Sequence, residues 1–295
     1  MNKDILEFYK QTSLFTELGF YKNFAQNLPD EIDKLCILQR MQIIHPAAFK
    51  DKEIIKETDC FWGNMTEIPL ARIHYEDDYF PTAISMLAEL LRRSPSYSKE
   101  RKAKDKIQVT CRGQAILLAA TLKAKGIPAR ARSGFASYVE PGEYWDHWIT
   151  EYFDEKTNSW ILADADCCCN DDLDFDIYNI PRDKFLCGAE AYLAMRNKTI
   201  LEEKIIYASN PLTKGMKAAL RGLFYDFHSL MNNEIIFLHV PTYIHEKNFL
   251  LNEEEYKELD ELANLMLNPN ENFEELLNIW NNKLKFRVLK GALND

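Results

Sequence analysis

Apolar residues recur at helical spacing through the first sixty positions, at Ile5, Phe8 and Tyr9 and again at Ile32, Leu35, Cys36 and Ile43, which predicts helices there. A further helix is expected over residues 81–93, where Ile84, Leu87, Leu90 and Leu91 line one side and Pro81 fits the first turn. Residues 111–125 place Ala115, Leu118, Ala119 and Leu122 at i, i+3, i+4 and i+7, a helix that Gly126 stops and Pro128 keeps from resuming. The period then changes. Three runs rich in aromatic and β-branched residues, 129–139, 145–153 and 159–166, are separated by Pro141-Gly142 and by 154–158, and they predict strands. Beyond about residue 175 helical spacing returns, most clearly over 216–230 and 253–267, the second opened by Asn252 as N-cap and by acids in its first turn.

This order predicts an α+β protein: a helical N-terminal region over 1–100, a core over 101–175 in which a helix packs on a small antiparallel sheet, and a helical C-terminal region over 176–295. The 295 residues exceed the usual size of one domain, and hydrophobic residues at 46% with aromatics at 12% suit a folded globular chain. No internal repeat or low-complexity linker marks a boundary.

Charge narrows the class of partner. A formal net charge of −10 repels phosphate backbones and anionic lipid surfaces, so neither nucleic acid nor membrane is expected. The one basic stretch, from Arg92 to Lys106 with Arg93, Lys99, Arg101, Lys102 and Lys104, is interrupted by Glu100 and Asp105. It reads first as a solvated loop face, with an anion-steering patch beside the active site as the alternative. No run reaches the ~18 apolar residues of a membrane span and residues 1–30 lack a basic start, so a cytoplasmic location is expected. Seven cysteines, at 36, 60, 111, 167, 168, 169 and 187, are an odd count with three adjacent, which suits a reducing compartment.

The chemistry concentrates in the middle of the chain. A thiol needs a lowered pKa to act at neutral pH, and a helix start with a nearby imidazole supplies it; Cys111 sits where such a helix begins. Small neighbours, Thr110 and Gly113, leave room for a substrate carbonyl, and first-turn amides could face an oxyanion. His147 lies in Trp145-Asp146-His147-Trp148 on an expected strand, and Asp164 ends the apolar run Trp160-Ile161-Leu162-Ala163 on the next. A carboxylate there calls for a partner. If Phe153 pairs with Asn158 across a turn of 154–157, His147 faces Asp164, about 5 Å apart at Cβ. Asp166 then faces Trp145, and it is the alternative acid if the turn is two residues longer on one side. Gln108, just before the helix, is a candidate side-chain donor, though the same residue type is more often simply polar surface.

Together, Cys111-Arg112-Gly113-Gln114-Ala115 opening a helix, Gly126-Ile127-Pro128-Ala129-Arg130-Ala131-Arg132-Ser133-Gly134, Asp146-His147-Trp148 and Trp160-Ile161-Leu162-Ala163-Asp164 resemble the transglutaminase-like superfamily over about 107–170. A looser echo, in Asp78-Tyr79-Phe80-Pro81-Thr82 and the helical tail, is of bacterial proteins whose only named feature is this domain. The resemblance implies a papain-like core in circularly rearranged order, with Cys111 as nucleophile, His147 as general base and Asp164 as orienting acid. It also implies attack on an amide or related acyl carbon through a thioester, in a peptide or a small conjugate. Crosslinking members usually place an aromatic after the cysteine, where this chain has Arg112, and Asp164 is followed by Ala165-Asp166 rather than Pro-Thr; crosslinking is therefore in doubt. No acidic calcium loop is present, and no cofactor or metal is expected.

Other residues weigh less. Adjacent Cys167, Cys168 and Cys169 lack the second ligand pair of a zinc site and read as reduced structural thiols. His228 reads as a core or interface residue rather than a ligand. Trp62, Trp145 and above all Trp148 are the aromatics placed near a substrate cleft, although core packing explains them as well. The competing function is a non-catalytic interaction protein that keeps the fold, its helical additions serving as binding surfaces. Oligomeric state cannot be read from the sequence.

Overall fold

The computed structural model describes residues 2–288 except 209, 211 and 238. Ten α-helices occur among the described residues: α1 Lys3–Lys10, α2 Lys22–Gln26, α3 Ile32–Arg40, α4 Ala83–Arg93, α5 Cys111–Ala124, α6 Gly188–Arg196, α7 Gly215–Leu230, α8 Thr242–Glu246, α9 Glu253–Leu267 and α10 Phe273–Asn282. Five strands, β1 Ala129–Ala136, β2 Tyr144–Asp154, β3 Ser159–Ala163, β4 Phe185–Cys187 and β5 Ile205–Ile206, form a sheet in the order β3-β2-β1-β4 with β5 beside β2. The protein is α+β, with helical segments before and after the strands.

The chain divides into two compact units. One comprises Tyr9–Ala129 and Ile149–Ile180, and α5 is its central helix. All fourteen residues of α5 are buried, as expected of a helix apolar around most of its circumference. Ile116, Leu117 and Ala120 meet Met86, Leu87 and Leu90 of α4, while Leu118, Ala119 and Leu122 meet Leu35 and Cys36 of α3. Its two internal cations are bonded: Lys123 Nζ donates to Gln11 O at 2.9 Å, and an Arg112 guanidinium nitrogen donates to Pro81 O at 3.1 Å. The helix ends as anticipated at Gly126, which takes φ +81. Helix α4 starts two residues later than its apolar pattern suggests, because Thr82 and Ser85 form a capping box.

In the same unit β2 and β3 form an antiparallel hairpin whose register differs from the expected one. Asp154 pairs with Ser159, Phe153 with Trp160 and Thr150 with Ala163. The reversal uses residues 155–158: Asp154 accepts from the backbone of Lys156 and Thr157 and from the Thr157 hydroxyl, and Asn158 adopts φ 52. Pairing of Phe153 with Asn158 is thus replaced by a register offset by two. β3 also ends at Ala163, because the Asp164 carboxylate turns the chain by accepting the N–H groups of Asp166 and Cys167.

The other unit comprises Met1–Phe8, Arg130–Trp148 and Pro181–Asp295. Here β4 pairs antiparallel with β1, and β5 runs parallel to the start of β2, Tyr144 opposite Ile205 and Trp145 opposite Ile206. Helix α7 packs on α6 and is tied to β1 by a buried bidentate pair, Arg132 Nε to Asp226 Oδ1 at 2.7 Å and a terminal guanidinium nitrogen to Oδ2 at 2.9 Å. His228 is a core residue, as its setting suggested. Its Nδ1 lies 2.7 Å from Phe224 O and its Nε2 accepts the Val288 N–H at 3.1 Å, so the ring is the neutral Nδ1–H form. Helix α9 spans the residues its pattern marks, and Asn252 Oδ1 accepts the Glu255 N–H at 2.9 Å.

Candidate active site

Cys111 is the first residue of α5 and is 9% exposed. The helix entry is held from outside. Asp77 Oδ1 accepts both the Thr110 N–H at 3.0 Å and the Thr110 hydroxyl at 2.7 Å, while Oδ2 has no hydrogen-bond partner. Burial pushes the Asp77 carboxyl up, against the lowering effect of those two bonds. Glu76 fixes the next residues back: its N–H donates to Gln108 O at 2.7 Å and its Oε2 accepts the Gln108 N–H at 2.8 Å. The backbone leading into Cys111 is thus held at residues 108 and 110 by two consecutive buried acids.

Gly113 proves to be small for packing. A Cβ there would stand 2.6 Å from Val109 Cγ2, so this position serves the close approach of the preceding loop rather than space for substrate. Arg112 is buried as well, with its guanidinium 5.1 Å from the Phe15 ring centre. The side chain that departs from the crosslinking pattern is therefore a structural cation of this unit.

Gln108 is fully buried rather than surface polar. Its Nε2 reaches Lys106 O at 3.3 Å and its Oε1 has no partner. Gln114, one turn into α5, carries no mark in the sequence, yet it is buried and both atoms of its amide lack a partner. An uncharged side chain in the middle of a helical motif offers no local signal of that kind. Thr150 ties the strand to the helix, its Oγ1 donating to Ala115 O at 3.0 Å.

Asp164 lies just past β3, completely buried. Its Oδ1 accepts the N–H of Asp166 at 2.7 Å and of Cys167 at 3.1 Å, and its own N–H donates to Ile177 O at 3.1 Å. Thr150 pairs with Ala163 as the last rung of the ladder, so the hairpin register is offset by two from the expected one. The offset of two is the one under which Asp166 was the alternative acid. The Asp166 carboxylate stands 3.8 Å from both Arg40 Nε and His45 Nε2.

His147 belongs to the other unit and is buried in the first half of β2. The Tyr138 ring meets it edge to face, centres 6.0 Å apart, which restricts its rotation. Its neighbour Asp146 accepts the Ala208 N–H and clamps this end of β2 beside β5. Burial raises the Asp146 carboxyl to about 6 despite that bond and the nearby imidazole. Trp148 is 2% exposed and lies against Tyr225, ring centres 5.9 Å apart, which suits a packing role more than a grip on substrate.

None of the seven cysteines is in a disulfide among the described residues. Cys168 and Cys169 hold their sulfurs 3.8 Å apart; the shared proton raises the Cys168 thiol and lowers Cys169 to about 7. A thiol of lowered pKa, Cys169, therefore lies a few residues from Asp164.

Residues 75–165 match the family model of the transglutaminase-like superfamily, a segment that contains Asp77, Cys111, His147 and Asp164. Among solved structures, a "Putative Cysteine Protease from Cytophaga hutchinsonii" is 16% identical with a TM-score of 0.32 and covers 63% of this chain. The chain spans 46% of the length of that protein. No curated protein matches it.

Proposed function

We propose that the protein is a cysteine hydrolase or acyltransferase that acts on an amide through a thioester on Cys111. The observation that carries the reading is a cysteine at the first position of a wholly buried helix whose entry is fixed by Asp77, inside a segment that matches the transglutaminase-like model. In the proposed cycle the Cys111 thiolate attacks the acyl carbon and the carbonyl electrons move onto oxygen. Imidazolium at His147 then protonates the departing amine, and Asp164 keeps the ring in the productive tautomer. Water, deprotonated by the neutral imidazole, or an amine resolves the thioester.

Amides at the start of α5 support an oxyanion there through the helix dipole. Gln108 is the proposed second donor: one Nε2 hydrogen is committed to Lys106 O at 3.3 Å, and the amide carries another. Trp148 contributes by holding the strand of His147 rather than by touching substrate. The substrate class is a peptide or an amide-containing small molecule. The odd count of cysteines, none in a disulfide among the described residues, supports a reducing, cytoplasmic setting, and no helix among the described residues is long and apolar enough to cross a membrane.

The test is covalent trapping. Incubation with an activated acyl donor, such as a p-nitrophenyl ester, followed by rapid acid quench and peptide mass mapping is expected to show one acyl group on Cys111 that decays with time and is absent in Cys111→Ala. Equal acylation of the parent and the variant would favour a non-catalytic interaction protein instead.

A further inference from the structure

Outside the proposed active site, the unit that contains α5 has a cleft of about 300 Å³ bordered by Cys60, Trp62, Lys99, Lys102 and Lys106 among others. Its charge is the reverse of the chain's: the stretch that supplies the lysines sits in a protein of net charge −10. Lys106 is the unusual member. It is 2% exposed, and its ammonium has no hydrogen bond or ion pair among the described residues. Its backbone is held rigidly, the carbonyl accepting from Arg72, Arg93 and Gln108.

A buried ammonium without an acid is costly, and native proteins relieve that cost with a counter-charge or by deprotonation. The surroundings of Lys106 do not supply the counter-charge. Arg40 and Arg101 act on it as like charges, and only the thiols of Cys60 and Cys169 act in the favourable direction. Burial accordingly lowers the Lys106 amine to about 8. A second donor, on a residue that lines the cleft, is also idle: the Trp62 indole Nε1 is buried with no partner. Glu67 and Glu100 lie on the lining, but Glu67 already receives the Asn64 amide at 3.3 Å and Glu100 is exposed.

We propose that this cleft binds a small oxyanion, a carboxylate or a phosphate group, that takes the Lys106 ammonium as its ion-pair partner and the Trp62 N–H as a hydrogen-bond donor. Lys99 and Lys102 at the rim raise the local concentration of such anions, and the Trp62 ring offers an apolar wall for the group that bears the charge. The basic stretch is thus a built binding site rather than a solvated face. The assignment stands apart from the Cys111 chemistry, and failure of either leaves the other intact.

Isothermal titration of the full chain with inorganic phosphate and, separately, with glutarate tests it, on wild type, Lys106→Met and the control Lys104→Met, which removes an equal charge from the same stretch outside the cleft lining. Binding of one or both anions in the range of about 0.1 mM is expected, weakened at least tenfold in K106M and within twofold of wild type in K104M. Response to phosphate alone marks a phosphate ester as the natural class, and response to glutarate alone a carboxylate. K106M removes an uncompensated charge and is expected to melt at or above the wild-type temperature when no anion is present. Should K106M fail to fold, Trp62→Phe carries the test, since it deletes only the indole donor and must weaken the same anion. No heat from either anion at 10 mM, equal weakening in K104M, or unchanged affinity in both K106M and W62F overturns the site.

Discussion

Asp77 receives both the backbone N–H and the hydroxyl of Thr110, the residue immediately before Cys111. One buried carboxylate oxygen thus sets the point where the helix of Cys111 begins. Asp77→Ala strands two buried donors and is expected to cost about 1–3 kcal/mol of stability and to slow alkylation of Cys111. Asp77→Asn retains the accepting oxygen, and since burial already favours the uncharged acid it should stay within about 1 kcal/mol of wild type. Urea midpoints together with alkylation rates check both.

Gln114 separates substrate recognition from packing. Its amide is buried with neither atom bonded, so Gln114→Leu is expected to raise stability by about 1 kcal/mol in thermal or urea unfolding. If the idle amide meets substrate, acylation of Cys111 by an amide donor falls in the same variant while reaction with a small alkylating agent does not.

Arg132 and Asp226 form a buried bidentate pair between β1 and α7. Asp226→Ala should cost about 3–5 kcal/mol, because it leaves a buried guanidinium without its carboxylate. The double change Arg132→Met, Asp226→Leu is expected to recover most of that loss in urea unfolding.

His228 makes stability depend on pH. Burial lowers its folded pKa to about 4 from the ordinary 6.5, so the unfolded chain takes up a proton first as pH falls. Its contribution is full above pH 6.5 and is lost as pH drops from there toward 4, to a limit of about 3 kcal/mol. His228→Gln should show a shallower decline in unfolding free energy between pH 7 and 4.5 than wild type.

How much of this was legible in sequence depended on whether a residue's partner was local. Helix α9 was readable to its ends because Asn252 and the acids that follow cap it from neighbouring positions. The start of α5 and its Gly126 stop were equally local. The hairpin register was not, since it turns on Asn158 adopting a left-handed conformation that moves the reversal by one residue on each strand. Strands β4 and β5, of three and two residues, are too short to show a period. Helix α6 escaped because its start is capped by Cys187 with Glu190, the cysteine standing where a serine or threonine is the usual signal. Cys111, His147 and Asp164 stand out as candidates from chemistry and order alone. The burial of Gln108, Arg112 and Trp148 depends on long-range packing and does not.

The proposed chemistry rests on the acidity of one thiol, and Cys169, lowered to about 7, must be removed from the measurement. In a Cys169→Ser background, rates of iodoacetamide labelling at each cysteine, read by peptide mass mapping from pH 4 to 10, are expected to show Cys111 reacting fast with an apparent pKa below 7. His147→Ala should return it to the ordinary thiol range near 8.5, and Asp164→Asn should shift it further than Asp166→Asn. A Cys111 that labels at pH 6 no faster than a model thiol, and is indifferent to all three substitutions, would contradict the proposed chemistry.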